Sequence, residues 1–333
     1  MSAFKPDDNV KRYRMSGPDF FGIGQQKAGT GWLYYQLLSH PDFWLPPVKE
    51  LHFFDRDFNF HKVQRRFNSL LRRRDSADKP WLWRHQQWRD LIEQGSGLDK
   101  LSLDKLESDF EFYRRALLSE TARKLERKKR ERVDQVDFAR KINNRQLQFY
   151  LDLFDVTDRL SGDITPAYGI LPQDSIRVIT KKFPDAKYIL QIRHPVSRTV
   201  SHIQHYYRNG AIDEQDFANA DSVANLLKAM PQFVSNSLIS KIYANWNAEI
   251  DPKQLLVLSL DEIASTPHVA RKRLAEFMGV DVNRFILAPE SNHKERHQKV
   301  EIPRESIDYL KEFFSSEVAY CRKNFGQLCA HWD

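Results

Sequence analysis

Residues 19–40 read DFFGIGQQKAGTGWLYYQLLSH. The first six form a short β-prone run ending in glycine. Residues 31–40 show helical spacing, with Leu33/Leu37 and Tyr34/Leu38 as i,i+4 pairs, and Pro41 stops the helix. Between the two lies a glycine-rich turn with a single lysine, Lys27. Strand, glycine-rich turn and helix in that order make an anion site. The backbone N–H groups of residues 27–32 open toward the strand's carboxyl end, the helix N-terminus adds partial positive charge, and Lys27 adds a full one. The plainer alternative is an ordinary βα turn with an exposed lysine.

Working outward, a second unit of this kind begins in AKYILQIRHPVSRTVSHIQHYY, residues 186–207. Residues 187–192 read as a buried strand, broken by His194-Pro195, with Pro195 suited to the first turn of the next helix. A third strand is expected at 255–260, followed by a helix from Pro267 to Met278 with Gly279 at its C-terminal cap. Strands alternating with helices predict an α/β fold, a mostly parallel sheet flanked by helices. The final helix is predicted as one piece between Pro303 and Gly326, with Ile307, Leu310, Phe314, Val318, Cys321 and Phe325 on its apolar face. The Arg-rich and aromatic-rich stretch at about 56–155 shows no repeat and no Gly/Ser linker. It reads as a largely helical insertion within a single domain spanning 1–333.

The composition supports a folded chain. Of 333 residues, 41% are hydrophobic and 12% aromatic, enough for a substantial core. Lys and Arg outnumber Asp and Glu by 52 to 45, which favours anionic partners without choosing among them. The two cysteines, Cys321 and Cys329, make no disulfide framework, so a reducing compartment is the simpler reading. The N-terminal MSAFKPDDNVKRYRMSG has no apolar h-region, and no apolar run is long enough to span a bilayer. A soluble, cytoplasmic protein is expected, with no membrane partner.

Which anion the turn holds depends on more than the turn. A Walker A loop needs lysine directly after its last glycine, whereas Lys27 precedes Gly29 by two residues. A dinucleotide fingerprint starting at Gly22 and Gly24 fails because Lys27 occupies its third glycine position. Further on come LPPVKELHFFD (45–55), GDITPAYGIL (162–171) and LQIRHPVSRTVSH (190–202). With these the sequence resembles the PAPS-dependent sulfotransferases, especially the carbohydrate (heparan-type) branch and its bacterial relatives.

The resemblance covers about 19–60 and 160–300 and implies a P-loop-like α/β fold using PAPS (3′-phosphoadenosine 5′-phosphosulfate) as co-substrate without a metal. It implies that Lys27, Ala28, Gly29, Thr30, Gly31 and Trp32 form the phosphosulfate loop, with Lys27 also catalytic. Arg193 and Ser201 would hold the 3′-phosphate. Glu50 would be the general base, with His52 as the competing base because another branch of the family uses histidine. Lys294 and Arg296, in SNHKERHQKV, would close over the nucleotide's phosphate. The plainer alternatives are a Lys49–Glu50 surface pair, a strand-end carboxylate for Arg193, and an exposed charged loop at 291–300. Three departures from the family pattern stand out: Gly31 in place of a second loop hydroxyl, Ile164 where some heparan-type members carry lysine, and His194 in place of the commoner acid.

The reaction so implied is sulfuryl transfer to a hydroxyl or amine of a carbohydrate or small-metabolite acceptor. WLWRHQQW offers aromatic and arginine surface to such an acceptor. Two other classes stay open at this point: an ATP-dependent P-loop kinase, which predicts Mg²⁺-dependent ATP binding, and a non-catalytic basic nucleic-acid-binding protein. The second would use charge runs such as 123–132, although a solvated helix face explains that run more simply. The helical pairs His202/His205 and His293/His297 would need a third ligand and a fitting scaffold to bind zinc, and no metal is expected. A homo-oligomer is compatible with everything above.

Overall fold

The computed structural model describes residues 17–38, 40–46, 49–55, 147, 150, 151, 154, 159–285 and 300–333. The predicted insertion at 56–155, its 123–132 run and WLWRHQQW lie outside these residues, apart from the few positions named, as do Lys294, Arg296, His293 and His297.

Among the described residues five strands form one sheet: β1 (Phe20–Gly24), β2 (Phe43–Trp44), β3 (Leu160–Ile164), β4 (Lys187–Ile192) and β5 (Leu255–Ser259). Their order is β2-β3-β1-β4-β5, and every pairing is parallel. The helices are α1 (Thr30–Leu38), α2 (Gln173–Lys182), α3 (Pro195–Arg208), α4 (Ala220–Ala229) and α5 (Gln232–Ser235). They continue with α6 (Ile239–Asn247), α7 (Leu260–Ser265), α8 (Pro267–Met278), α9 (Arg304–Phe313) and α10 (Ser315–Phe325).

Strand alternation sorts the apolar side chains onto two faces. Phe21, Ile23, Tyr188, Leu190 and Ile192 pack with Ile176 and Ile179 of α2 and Trp246 of α6. Phe20, Ile164, Ile189 and Leu258 pack with Leu33 and Leu37 of α1 and Leu274 of α8. The second face requires a glycine: Phe20 pairs opposite Gly162, and a Cβ at 162 would lie 2.1 Å from the Phe20 ring. A third cluster, joining α3, α4 and α9 around Ile203, Val223 and Phe314, is built beside the sheet.

The predicted β1–turn–α1 unit, β4, and α8 are all present, Pro195 opens α3, and Gly279 caps α8 in the left-handed region at φ 79°. Two expectations need correction. The C-terminal helix is two helices, with a break at Phe314 (φ −99°, ψ 9°). Leu310 and Phe314 belong to the third cluster while Val318 and Cys321 belong to the α6 side, so the chain must turn to serve both. The third strand stops one residue early, because Ser259 caps α7 by accepting the Asp261 amide. Sequence reading also missed β2, too short for any periodicity, and β3, whose glycine and buried aspartate disguise a strand.

Among the described residues no helix is long and apolar enough to cross a membrane. β1 lies between β3 and β4, where the strand order reverses, and the crevice at the carboxyl ends of such strands is where ligands of open α/β sheets bind. The glycine-rich turn opens there.

Candidate active site

The turn between β1 and α1 is fastened to β4 on three sides. The Gln25 amide donates to the Gln191 carbonyl, the Gln191 side chain donates to the Gly29 carbonyl at 3.1 Å, and the Gln25 side chain accepts the Arg193 amide at 3.0 Å. One Arg193 guanidinium N–H adds a bond to the Lys27 carbonyl at 3.1 Å. The backbone is left-handed at Lys27 (φ 68°) and Gly29 (φ 89°), which turns successive amides inward. The Ala28 amide bonds the Gln25 carbonyl and the Trp32 amide bonds the Gly29 carbonyl. Those of Lys27, Gly29, Thr30 and Gly31 have no acceptor among the described residues and are free for an anion. Ala28 is fully buried and the Trp32 ring packs into the α1-side core, so neither side chain lines the turn.

The Lys27 ammonium has no acidic partner within ion-pair distance among the described residues. Burial pushes it down to about 8, nearby Arg208, Lys49 and Arg198 push the same way, and Glu50 opposes them. Burial likewise lowers Arg193. A group of cations held at such cost is compensated when a polyanion arrives.

Glu50 faces this group. Lys49 donates to Glu50 at 2.8 Å and to the Thr30 hydroxyl at 3.3 Å, so it bridges the loop and the carboxylate. The surface-pair alternative for Glu50 thus has the right partner in the wrong place: the pair is formed at the mouth of the loop. His52 sets Nε2 3.6 Å from Glu50 and Nδ1 2.8 Å from Asp55. Burial acts to raise the Glu50 carboxyl, but the His52 hydrogen bond and the Lys49 charge outweigh it and hold the group at about 2. Glu50 and His52 both have left-handed backbones, at φ 65° and 56°, with Leu51 buried between them. Each such non-glycine residue costs on the order of 1–3 kcal/mol, and such strain gathers at functional sites.

Beneath that segment is a residue sequence reading passed over. Asp163 of β3 is 1% exposed and accepts hydrogen bonds from three hydroxyls: Thr165 at 2.7 Å, Tyr168 at 2.8 Å and Tyr150 at 2.9 Å. Thr165 and Tyr168 stand in the quoted ITPAY stretch, but nothing local in the sequence says that they point at Asp163. Gln25 and Gln191 were missed because their partners lie across the fold, and the Lys49 bridge to Thr30 and the Asp55 contact with His52 carry no motif of their own.

Ser201, His205 and Arg208 share one face of α3 at i, i+4 and i+7. Arg208 and His205 interact electrostatically with Lys27, and His205 also with Glu50, which puts this face beside the loop. Ser201 is half-buried on it. His202 faces inward: it is 3% exposed, meets Arg198 at 3.2 Å, and is pushed by burial and the Arg198 charge down to about 3. It is a packing histidine. Among the described residues no three His, Cys, Asp or Glu side chains gather as metal ligands.

The chain matches the family model described as "Sulfotransferase family" over residues 18–284. No curated protein matches it. Among solved structures, the sulfotransferase from Alicyclobacillus acidocaldarius superposes with TM-score 0.55 at 19% identity, over 92% of this chain and 94% of the other. The sulfotransferase domain of the Synechococcus PCC 7002 olefin synthase gives TM-score 0.41 at 15% identity, over 94% and 98%.

Proposed function

This chain belongs to the sulfotransferase family, a transferase of sulfuryl groups, and from that premise we propose that its donor is PAPS and its acceptor a hydroxyl or amine of a carbohydrate or small metabolite. The observation that carries the reading is the convergence of four loop amides with no acceptor among the described residues, Lys27 and Arg193 at the switch point, opposite the Glu50 carboxylate. Two anionic ends and a proton acceptor are what PAPS and its reaction require.

The loop amides, Lys27 and the Thr30 hydroxyl take the 5′-phosphosulfate. Arg193 and Ser201 take the 3′-phosphate, for which a planar guanidinium fork is suited. The acceptor oxygen attacks sulfur, the new S–O bond forms as the bridging S–O bond breaks, and the leaving nucleotide PAP keeps the electron pair. Lys27 balances the charge growing on that bridging oxygen; one such donor is typically worth about 3–4 kcal/mol. The acceptor's proton goes to Glu50, the more exposed of the two candidate bases, with side-chain exposures of 34% for Glu50 and 16% for His52. His52, turned by Asp55, steadies that carboxylate.

In the free protein Glu50 is a weak base because the His52 hydrogen bond and the Lys49 ammonium beside it outweigh its burial. Donor phosphates arriving at Thr30 draw the Lys49 charge toward themselves, and the proton affinity of Glu50 rises as the reactants assemble. Base and donor are thereby coupled through one lysine.

Calorimetric titration of the protein with PAP, against ATP with Mg²⁺ and against AMP, tests the donor. The expected result is tight, metal-independent PAP binding that collapses in Arg193→Ala. Binding of ATP·Mg²⁺ with indifference to PAP would overturn the reading in favour of a kinase.

A further inference from the structure

We propose that Asp163 is a positioning residue for the proton-accepting segment, acting through the hydroxyls of Thr165 and Tyr168 on the backbone of His52 and Phe53. The proposal builds on the assignment of Glu50 and His52 to proton transfer, but its geometry stands apart from the donor's identity.

The two hydroxyls are used twice. Thr165 donates to one Asp163 oxygen and accepts the His52 amide at 3.4 Å. Tyr168 donates to the other oxygen and accepts the Phe53 amide at 2.9 Å. A hydroxyl has one proton and two lone pairs. Because the Asp163 oxygens accept, both protons are committed inward, and the lone pairs are left facing the segment's amides. An apolar residue at 163 would free the hydroxyls to rotate, and the two amides would lose oriented acceptors.

What those amides hold is the left-handed backbone at Glu50 and His52. Leu51 and Phe53 are driven into the core, with the Phe53 ring stacked on Tyr150 at 4.1 Å. Tyr150 is the third donor to Asp163, so the apolar and polar anchors of the segment meet at one carboxylate. Asp163 has no ion pair among the described residues, and burial raises its carboxyl to about 6 against the pull of its hydrogen bonds. Three hydroxyl donors without a cation make a costly arrangement that packing alone does not require, since phenylalanine would fill the space of either tyrosine.

The test compares Thr165→Val, Tyr168→Phe and Asp163→Asn, each also combined with Glu50→Gln. PAPS alone is the probe: PAP release is followed with water as the acceptor, PAP affinity is measured by calorimetry, and crystal structures of the Thr165→Val and Tyr168→Phe proteins are determined. The expected result is a loss of turnover of tenfold or more with PAP affinity within twofold, and no further loss when Glu50→Gln is already present. Thr165→Ser, which keeps the hydroxyl, restores turnover. In the structures Glu50 and His52 leave the left-handed region. Turnover within twofold of the parent, losses that multiply with Glu50→Gln, or an unchanged backbone at Glu50 and His52 would each overturn the proposal. If the parent protein neither binds PAP nor turns over PAPS, the donor reading falls, and the structures alone decide: relaxation of the segment upholds the clamp, and an unchanged segment refutes it.

Discussion

The ammonium of Lys49 lies 2.8 Å from the Glu50 carboxylate and 3.3 Å from the Thr30 hydroxyl, so one side chain joins the anion loop to the candidate base. The His52 hydrogen bond and this Lys49 charge together outweigh burial and hold Glu50 ionised down to about pH 2. In Lys49→Met the charged form of Glu50 loses its closest cation and its pKa rises. The acid limb of the pH profile of PAPS turnover is then expected to move up by about one unit or more. Glu50→Gln should lower turnover by about 10²–10⁴-fold at unchanged PAP affinity.

Lys27 gives the alkaline side. Its ammonium is pushed down to about 8 in the free protein, chiefly by burial. Only the protonated form attracts a nucleotide anion, so PAP affinity should fall as pH rises through 8. Binding at pH 8 should take up about half a proton. Calorimetry in two buffers of different ionisation enthalpy measures that uptake. Lys27→Arg keeps its charge throughout this range, and its affinity should be flat between pH 7 and 9, whatever its turnover.

Gly29 makes a backbone demand inside the turn. It adopts φ 89°, and a Cβ there would lie 2.7 Å from Leu260 Cδ1. Gly29→Ala should cost on the order of 1–3 kcal/mol of stability and weaken PAP binding, because two of the free amides move with it. Chemical denaturation and PAP titration of the same preparation check both effects.

Cys321 and Cys329 are free and fully buried. Burial raises both thiols, Cys329 to about 12 and Cys321 further. Neither should react with a thiol reagent at pH 8 in the native protein, and two thiols should appear in denaturant. A prompt native reaction would show that the α6–α10 packing opens readily.

The parts of the fold legible in the sequence are those whose signal is local. The apolar run of β1, the broken strand at His194-Pro195 and the glycine cap of α8 each carry their own punctuation. β3 was hidden because a buried aspartate and a glycine contradict strand composition: Gly162 owes its place to Phe20, more than 100 residues away, and Asp163 to hydroxyls of Tyr150, Thr165 and Tyr168 that converge on it only in the fold. The break at Phe314 was hidden because an unbroken helical period cannot report that its two halves serve different cores. In the site, Lys27 could be named from the glycine-rich turn, and Thr30, Glu50 and Arg193 from the resemblance to the sulfotransferases. The glutamines that tie the loop down, and the lysine that joins it to Glu50, act only once strands from distant parts of the chain lie side by side.

The chain leaves the described core after Asp55 and returns by Tyr150, and these ends meet: Phe53 and Phe54 both pack on the Tyr150 ring. The ends joined by the roughly hundred residues between them therefore lie side by side, next to the segment that carries Glu50 and His52. Loop closure between such ends depends only weakly on length. A change of length between these ends is therefore expected to cost the described core little stability.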